Sequence, residues 1–401
     1  MSKNRLLVIA GGTWQVPIIK KAKALGFEVV NSNLYEDSIG FEYADYSEVS
    51  DVKNKEKNLE FAKKYQIDGV VTDQSDIAVP TVAYVASQLG LPTIGEDKAR
   101  LFTDKFLMRE FCKTHGFPYP EYKLCQTAAD VVDFQKTVGR IIIKPIDAQS
   151  SRGIHVIESV EDVNLFFEDA RSYSKDGKSV IAERFIQGTE FTIDGIVTPE
   201  GHKSLCISEK KHFGYNESIA SELFFSNKNF MFDYDLLRKS NDSLINATGL
   251  PFGITHAEYK FEGGKFYLIE MAARGGGTKI ASDIVPLMSG VDNYAYLLAS
   301  VVGKTIQTPI MVDKTLDERC AVLKFLDINS KGLPVKAIQG VDEICRNSHI
   351  IDFSLEFNVG DIVGEAEDDR SRVGYYIAYE ENEKKLRELM QWIQNTLCIE
   401  F

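Results

Sequence analysis

Two runs of alternating apolar and polar residues, Ile254–Phe261 and Phe266–Met271, stand on either side of Gly263-Gly264, and each carries a glutamate among its polar positions. The pattern is a hairpin signal, because glycine supplies the positive φ that a tight connection requires. Period-two alternation puts His256, Glu258 and Lys260 on one face and Ala257, Tyr259 and Phe261 on the other. Connection length then fixes the pairing. A loop from Gly263 to Lys265 sets Glu258 directly opposite Glu270 on one face, whereas a loop one residue shorter puts them on opposite faces. The longer loop is expected, since it also gathers Tyr267, Ile269 and Met271 onto the apolar face. Two carboxylates facing each other at about 5 Å between Cβ atoms repel and need a cation between them. So few hard oxygen ligands suit Mg²⁺, which takes its remaining coordination from phosphate oxygens and water. The plain alternative is a solvated hairpin face with Lys260 as counterion.

A chain of 401 residues implies two to three domains at roughly 150 residues each. The first hundred residues alternate strand and helix. Leu6–Ala10 is a continuous apolar run ending in Gly11-Gly12, as expected of a strand buried on both faces, and a helix with Pro17 in its first turn follows. Val29-Val30 and Gly69–Thr72 continue the strands, and helices are expected near Lys55–Tyr65 and Val79–Leu89. This order predicts a small parallel sheet covered by helices. After Asp104 a helix, Lys105–Thr114, leads into short strands at Arg140–Lys144, Ile154–Ile157, Val180–Phe185 and Phe191–Val197, with later strands at Ala321–Phe325 and Tyr375–Tyr379 and a closing helix near Glu381–Leu397.

Two further segments carry chemistry. In Arg140–Ile154 an apolar strand presents Lys144 before a loop of Gln149, Ser150, Ser151, Arg152 and Gly153. Such a loop lets backbone N–H groups approach phosphate oxygens, although it lacks the Walker A pattern and a plain hairpin reads the same way. In Val180–Gly195, Glu190, Thr192 and Asp194 share one face while Phe191 and Ile193 face the core, with Asp194 expected at the solvated surface. Trp14, Gln15 and Asp73-Gln74-Ser75 fall at strand ends, where ligands of open α/β sheets bind and where helix caps also sit. Lys210-Lys211-His212 and Tyr215-Asn216-Glu217 read as a solvated loop, and His256 as a structural hydrogen bonder rather than a base.

In this order the segments resemble the ATP-grasp superfamily of carboxylate–amine ligases, which includes amino-acid ligases, carbamoyl-phosphate synthase and biotin carboxylase. The likeness spans nearly the whole chain: Asp104-Lys105 at a helix start, Lys144 before the Ser/Gly loop, Glu183 to Glu190 as the linker, then Glu258, Glu270 and Arg274. It implies an α/β and α+β chain with the ATP-grasp fold: a Rossmann-like N-terminal domain at 1–103, a small lid subdomain at 104–188, a large subdomain with the metal site at 189–309, and a C-terminal mixed α+β subdomain at 310–401. By the same resemblance Lys105 and Lys144 neutralise ATP phosphates under a lid containing Ser150, Ser151 and Gly153. Glu183 and the backbone of Phe185 and Ile186 meet the adenine, and Glu190 holds the ribose. Glu258 and Glu270 ligate Mg²⁺, with Mn²⁺ as a substitute, and Arg274 holds the reacting oxyanion, so that Arg274 and Lys144 are the catalytic pair. One departure stands out. Where the family usually has Asn two residues after the second glutamate, this chain has Ala272, whose methyl cannot ligate a second metal.

The implied activity is an ADP-forming ligase that joins a small-molecule carboxylate to an amine through an acyl phosphate, with an amino acid as substrate. A kinase on the same scaffold and a nucleotide-binding module without turnover, suggested by Ala272, are the alternatives. With 46 Lys and Arg against 59 Asp and Glu, the net charge of −13 argues against unspecific binding to nucleic acid or anionic membrane. No apolar run approaches a membrane span or a signal-peptide core, and six scattered cysteines without a C-x-x-C pair suggest buried, reduced thiols in the cytoplasm. A homodimer is the expected assembly.

Overall fold

The apolar run before Gly11-Gly12 forms the strand Arg5–Ile9, paired in parallel with Glu28–Asn33 on one side and Gly69–Val71 on the other. The structure is a computed structural model and describes residues 4–147, 152–174, 177–304 and 310–401. Leu6 and Val8 pack against Ile18, Ile19 and Ala22 of the helix Val16–Ala24, while Leu7 and Ile9 pack against Leu59 and Val85 from two helices on the opposite face. A strand with helices on both sides must be apolar at every position, which is what Leu6–Ile9 shows. A fourth parallel strand, Tyr46–Val49, lies at the sheet edge. Its side chains are mostly exposed, so no apolar run announces it.

Among the described residues three antiparallel sheets follow, the least of them a pair of strands, Ala337–Gln339 with Cys398–Glu400. Of the other two, the smaller orders Tyr122–Cys125, Val180–Arg184, Ile141–Pro145 and His155–Ile157. The larger runs Lys265–Ala272, Gly253–Glu262, Glu190–Thr198, Gly201–Phe213, Asn216–Ser226, Cys320–Phe325, Gly374–Glu380 and Ile350–Leu355. This sheet crosses the expected division at 309/310, because strands on both sides of it hydrogen-bond to one another. It also corrects the solvated loop expected around Lys210: that residue belongs to a long strand paired with Asn216–Ser226. Four consecutive charged or polar residues, Glu209 to His212, hid the strand, since one of its faces lines a charged cleft.

The Gly263-Gly264 hairpin pairs Glu258 with Glu270, as expected, but by another route. Glu262 pairs with Lys265, so the turn has only two residues, at φ +57° and +80°. That loop alone would place the glutamates on opposite faces. A β-bulge restores the match, with Tyr259 opposite Leu268 and Glu258 opposite Glu270, leaving Ile269 as the extra residue. The apolar face is corrected accordingly. Phe266, Leu268 and Met271 are buried with Ala257 and Tyr259, and Tyr267 and Ile269 turn away from that core. Cys345 and Cys398 are exposed, so only Cys112, Cys125, Cys206 and Cys320 are the buried thiols expected of all six.

Candidate active site

A cleft of about 1400 Å³ opens between the three large sheets, and its walls bring together Lys105, Lys144, Glu190, Glu258, Glu270 and Arg274. The volume exceeds the roughly 300–1,000 Å³ of an ordinary single-ligand site, leaving room for a nucleotide and a second molecule. Glu183, Phe185 and Ile186 also line it. Gly153 does not: it turns inward at φ +65°, where a Cβ would meet the Tyr173 ring at 2.7 Å. Ser150 and Ser151, with Gln149, lie outside the described residues.

Lys144 stands on the strand Ile141–Pro145, and its Nζ donates to Oε2 of Glu183 at 2.9 Å. The other oxygen of Glu183 accepts Nε of Arg109 at 2.6 Å. All three groups are buried, with Glu183 1% and Arg109 0% exposed. Burial pushes the Glu183 carboxyl up, but the two cations outweigh it and hold its pKa at about 2. Both carboxylate oxygens are thus committed, and Nη2 of Arg109 bonds the bulge carbonyl of Ile269 at 2.5 Å. Arg109 was not expected. It lies one helical turn after Lys105 on the helix Lys105–His115, and this i, i+4 spacing on a buried face was the available signal. The Arg140 guanidinium and the Lys260 ammonium lie 4.1 and 4.6 Å from the centre of the Phe185 ring, and the Phe185 N–H donates to the Arg140 carbonyl.

Asp104 caps that helix by accepting the Leu107 N–H at 3.0 Å, which presents Lys105 at its first position. Lys105 Nζ reaches Oε1 of Glu270 at 2.8 Å. Lys210 Nζ bridges Glu190 at 2.7 Å and Glu258 at 3.1 Å. Burial alone would protonate Glu258, yet Lys210 and His256 hold its pKa well below the usual carboxylate range. Glu258 and Glu270 keep 24% and 33% of their side chains exposed to the cleft. No group of three or more His, Cys, Asp or Glu suited to a metal occurs among the described residues. A divalent ion between this pair therefore needs further oxygens from phosphate and water, which is how Mg²⁺ is usually bound, so the donor set fits Mg²⁺ on a nucleotide. Ala272 is buried opposite His256, whose Nδ1 meets Asp194 Oδ1 at 3.0 Å. Burial disfavours the imidazolium, but Asp194 raises its pKa to about 9. Asp194 is itself 2% exposed, which corrects its expected place at the solvated surface.

Arg274 follows the second strand of the hairpin, and its Nε and Nη2 grip Asp76 at 2.9 and 2.7 Å. Its Nη1 donates to the Gly275 carbonyl at 2.8 Å. A guanidinium has five N–H donors, so two remain uncommitted among the described residues. The next two N–H groups are also anchored: Gly275 donates to Asp73 at 2.8 Å and Gly276 to Asp194 at 3.1 Å. Asp73 and Asp76 come from the C-terminal edge of the front sheet, so that edge grips the turn that carries Arg274. Gln15 donates to the Asp73 carbonyl and Gln74 to the Trp14 carbonyl, joining the two expected edge segments.

Comparisons with known proteins bear on the family and the fold. Residues 138–283 match the model of an ATP-grasp domain, and residues 325–401 match L-amino acid ligase C-terminal domain 2. The formate-dependent phosphoribosylglycinamide formyltransferase of Prochlorococcus marinus (strain MIT 9301) is 26% identical over 219 residues, 51% of this chain and 54% of that protein. The chain thus spans about half the length of the curated relatives it matches. Among solved structures, the L-amino acid ligase of Bacillus licheniformis has a TM-score of 0.83 at 18% identity, covering 100% of this chain and 99% of that one. The biotin carboxylase domain dimer of Hydrogenobacter thermophilus 2-oxoglutarate carboxylase, in complex with MgADP, ADP and bicarbonate, scores 0.75 at 15% identity, covering 100% and 91%. Residues 138–283 thus form an ATP-grasp domain, with an L-amino acid ligase C-terminal domain matched behind it, and the whole chain shares the fold of the Bacillus licheniformis L-amino acid ligase.

Proposed function

We propose that the protein is an ADP-forming ligase that joins a carboxylate to an amine through an acyl phosphate, using ATP and Mg²⁺, with an amino acid as substrate. One observation carries the reading: Glu258 faces Glu270 in register across the hairpin, at the same cleft as Lys105, Lys144 and Arg274. Glu258 and Glu270 would hold Mg²⁺, which when bound lowers the charge on the phosphates. Lys105 and Lys144 neutralise the nucleotide's phosphates, Phe185 and Ile186 wall its base, and Glu190 meets its ribose. A substrate carboxylate oxygen attacks the γ-phosphorus, the bond to the β-phosphate oxygen breaks, and ADP leaves. The amine nitrogen then attacks the acyl carbon, the bond to the phosphate oxygen breaks, and the departing phosphate takes the proton the nitrogen loses. Arg274, held by Asp76, turns its two uncommitted N–H donors toward the oxyanion of that second step.

The division at 1–103, 104–188, 189–309 and 310–401 goes with this reading, with the last two parts sharing one sheet. No helix among the described residues is long and apolar enough to cross a membrane. A cytoplasmic homodimer completes the proposal, with size-exclusion chromatography as its check. Hydroxylamine trapping tests the chemistry. An acyl phosphate gives a hydroxamate and ADP with the right acid, whereas a kinase leaves a stable phosphorylated product and a binding module releases no ADP.

A further inference from the structure

Arg274 opens a short segment that ends at Lys279, and four aspartates hold it. Asp76 grips the Arg274 guanidinium, and Asp73 and Asp194 accept the Gly275 and Gly276 N–H groups. Asp352 makes the fourth hold, its Oδ2 lying 2.6 Å from Lys279 Nζ. Asp73 and Asp76 come from the front sheet and Asp194 from the strand Glu190–Thr198 beside the hairpin. Asp352 comes from the strand Ile350–Leu355, the edge of the large sheet farthest from that hairpin, in the C-terminal subdomain. The two side chains of this pair are 26% and 22% exposed, so they are partly shielded from the screening that makes open surface bridges worth little. Tyr375 OH also donates to Asp352, and the Tyr375 ring meets Trp14 of the front domain edge-on at 5.8 Å between centres. Asp352 therefore stands fixed before Lys279 reaches it.

The backbone gives the physical reason for such a hold. Thr278 and Lys279 lie at φ +49° and +61°. Side chains disfavour that region, a β-branched one such as Thr most of all. Two such residues in succession persist only where their surroundings fix them from both ends. Upstream, the bonds of Gly275 and Gly276 do so. Downstream, the Lys279 carbonyl accepts the N–H groups of Asp283 at 3.0 Å and Ile284 at 3.3 Å, in the wide turn Ile280–Ile284, while its side chain is tied to Asp352. Gly277 and Thr278 line the cleft beside Arg274, so a shift of this turn is a shift of the cleft wall.

We propose that Lys279 and Asp352 are positioning residues, the ion pair through which the C-terminal subdomain holds the turn that presents Arg274. The proposal rests on the ligase reading and gives that subdomain a part in turnover. With Lys279 released, Thr278 and Lys279 relax toward negative φ, which rotates the chain leading back to Arg274 and draws its two uncommitted N–H donors off the oxyanion. Misplacing a catalytic group by about 1 Å can cost about 10²-fold in rate. Lys105 and Lys144, which meet the phosphates, stand on a helix and a strand away from this segment, so nucleotide binding does not share the loss.

The test uses the acid that hydroxylamine trapping identifies and reads hydroxylamine-dependent ADP release. Asp352→Asn keeps the size of the side chain and an acceptor for Tyr375. It should lower kcat by about tenfold while the KM for ATP stays within about twofold. Lys279→Met should do the same, and Lys279→Arg, which keeps the charge, should recover most of the loss. In an Arg274→Ala background the added Asp352→Asn should cost less than about twofold, since a residue that acts through Arg274 has nothing left to position; a merely structural role would cost about tenfold again. An unchanged kcat in Asp352→Asn, or equal losses in both backgrounds, would overturn the proposal. If no acid yields a hydroxamate, the ligase reading fails on its own account. In that case, or where Arg274→Ala turns over too slowly to read, hydrogen exchange decides whether the pair holds the turn. Peptides spanning 274–284 should exchange about tenfold faster in Asp352→Asn while those spanning 253–262 keep the wild-type rate, and equal rates in both would overturn it.

Discussion

Two carboxylate–cation centres line the cleft, and they differ in how completely they are closed. Glu183 has both oxygens bonded to cations, Arg109 and Lys144, and is sealed from water. Glu258 and Glu270 each meet one lysine and keep part of their surface in the cleft. In the first centre every strong acceptor is used, so its work is to hold Lys144 and the bulge-bound Arg109 in place. In the second, lone pairs remain for a metal and its nucleotide. A closed ion cluster costs stability when broken, and an open one costs chemistry.

Glu270→Gln strains that contrast most. It removes charge at nearly constant volume, so ADP release should fall below detection while the thermal midpoint barely moves; near-normal turnover would remove the metal assignment. Arg274→Ala should slow turnover by about 10²–10³-fold, the usual cost of losing one oxyanion donor, with ATP affinity little changed. A defect confined to ATP affinity would contradict its role. Glu183→Gln should act in the opposite sense, costing about 3–5 kcal/mol in denaturant unfolding because two buried cations lose their counterion. The pH dependence has a definite sign. The Glu183 pKa falls from its ordinary 4.5 to about 2 on folding, so its stabilisation is fully present above about pH 4.5 and is lost as pH drops toward 2. Unfolding curves across that window should converge for wild type and Glu183→Gln. The smallest effect belongs to Asp104→Ala, which loses the cap behind Lys105 and should cost about 1 kcal/mol with a modest rise in the KM for ATP.

The buried parallel strand at Leu6–Ala10 and the helix Lys55–Tyr65 were legible, because each rests on a short-range period or a continuous apolar run, whereas the pairing of Glu258 with Glu270 was expected from a longer loop than the one present. The strand around Lys210 was not legible, since a strand that presents charge to a cleft loses the alternation that would mark it. Nor was the closure of Glu183, whose partners lie 74 and 39 residues away in sequence. Asp76 gave no sign either: its grip on Arg274 spans 198 residues.

By itself the sequence determined which residues share a face along an unbroken strand such as Ile254–Phe261, since side-chain direction there follows a period of two. It therefore placed Glu258 and Glu270 in one hairpin as a candidate pair. Only the tertiary structure decided how they meet. The two-residue turn favours the wrong register, and an extra residue at Ile269, its carbonyl bonded by Arg109 from a helix 160 residues earlier, sets it right. A bulge costs the local ladder a regular pair, and a bond from a distant buried cation offsets that cost, which no local pattern encodes.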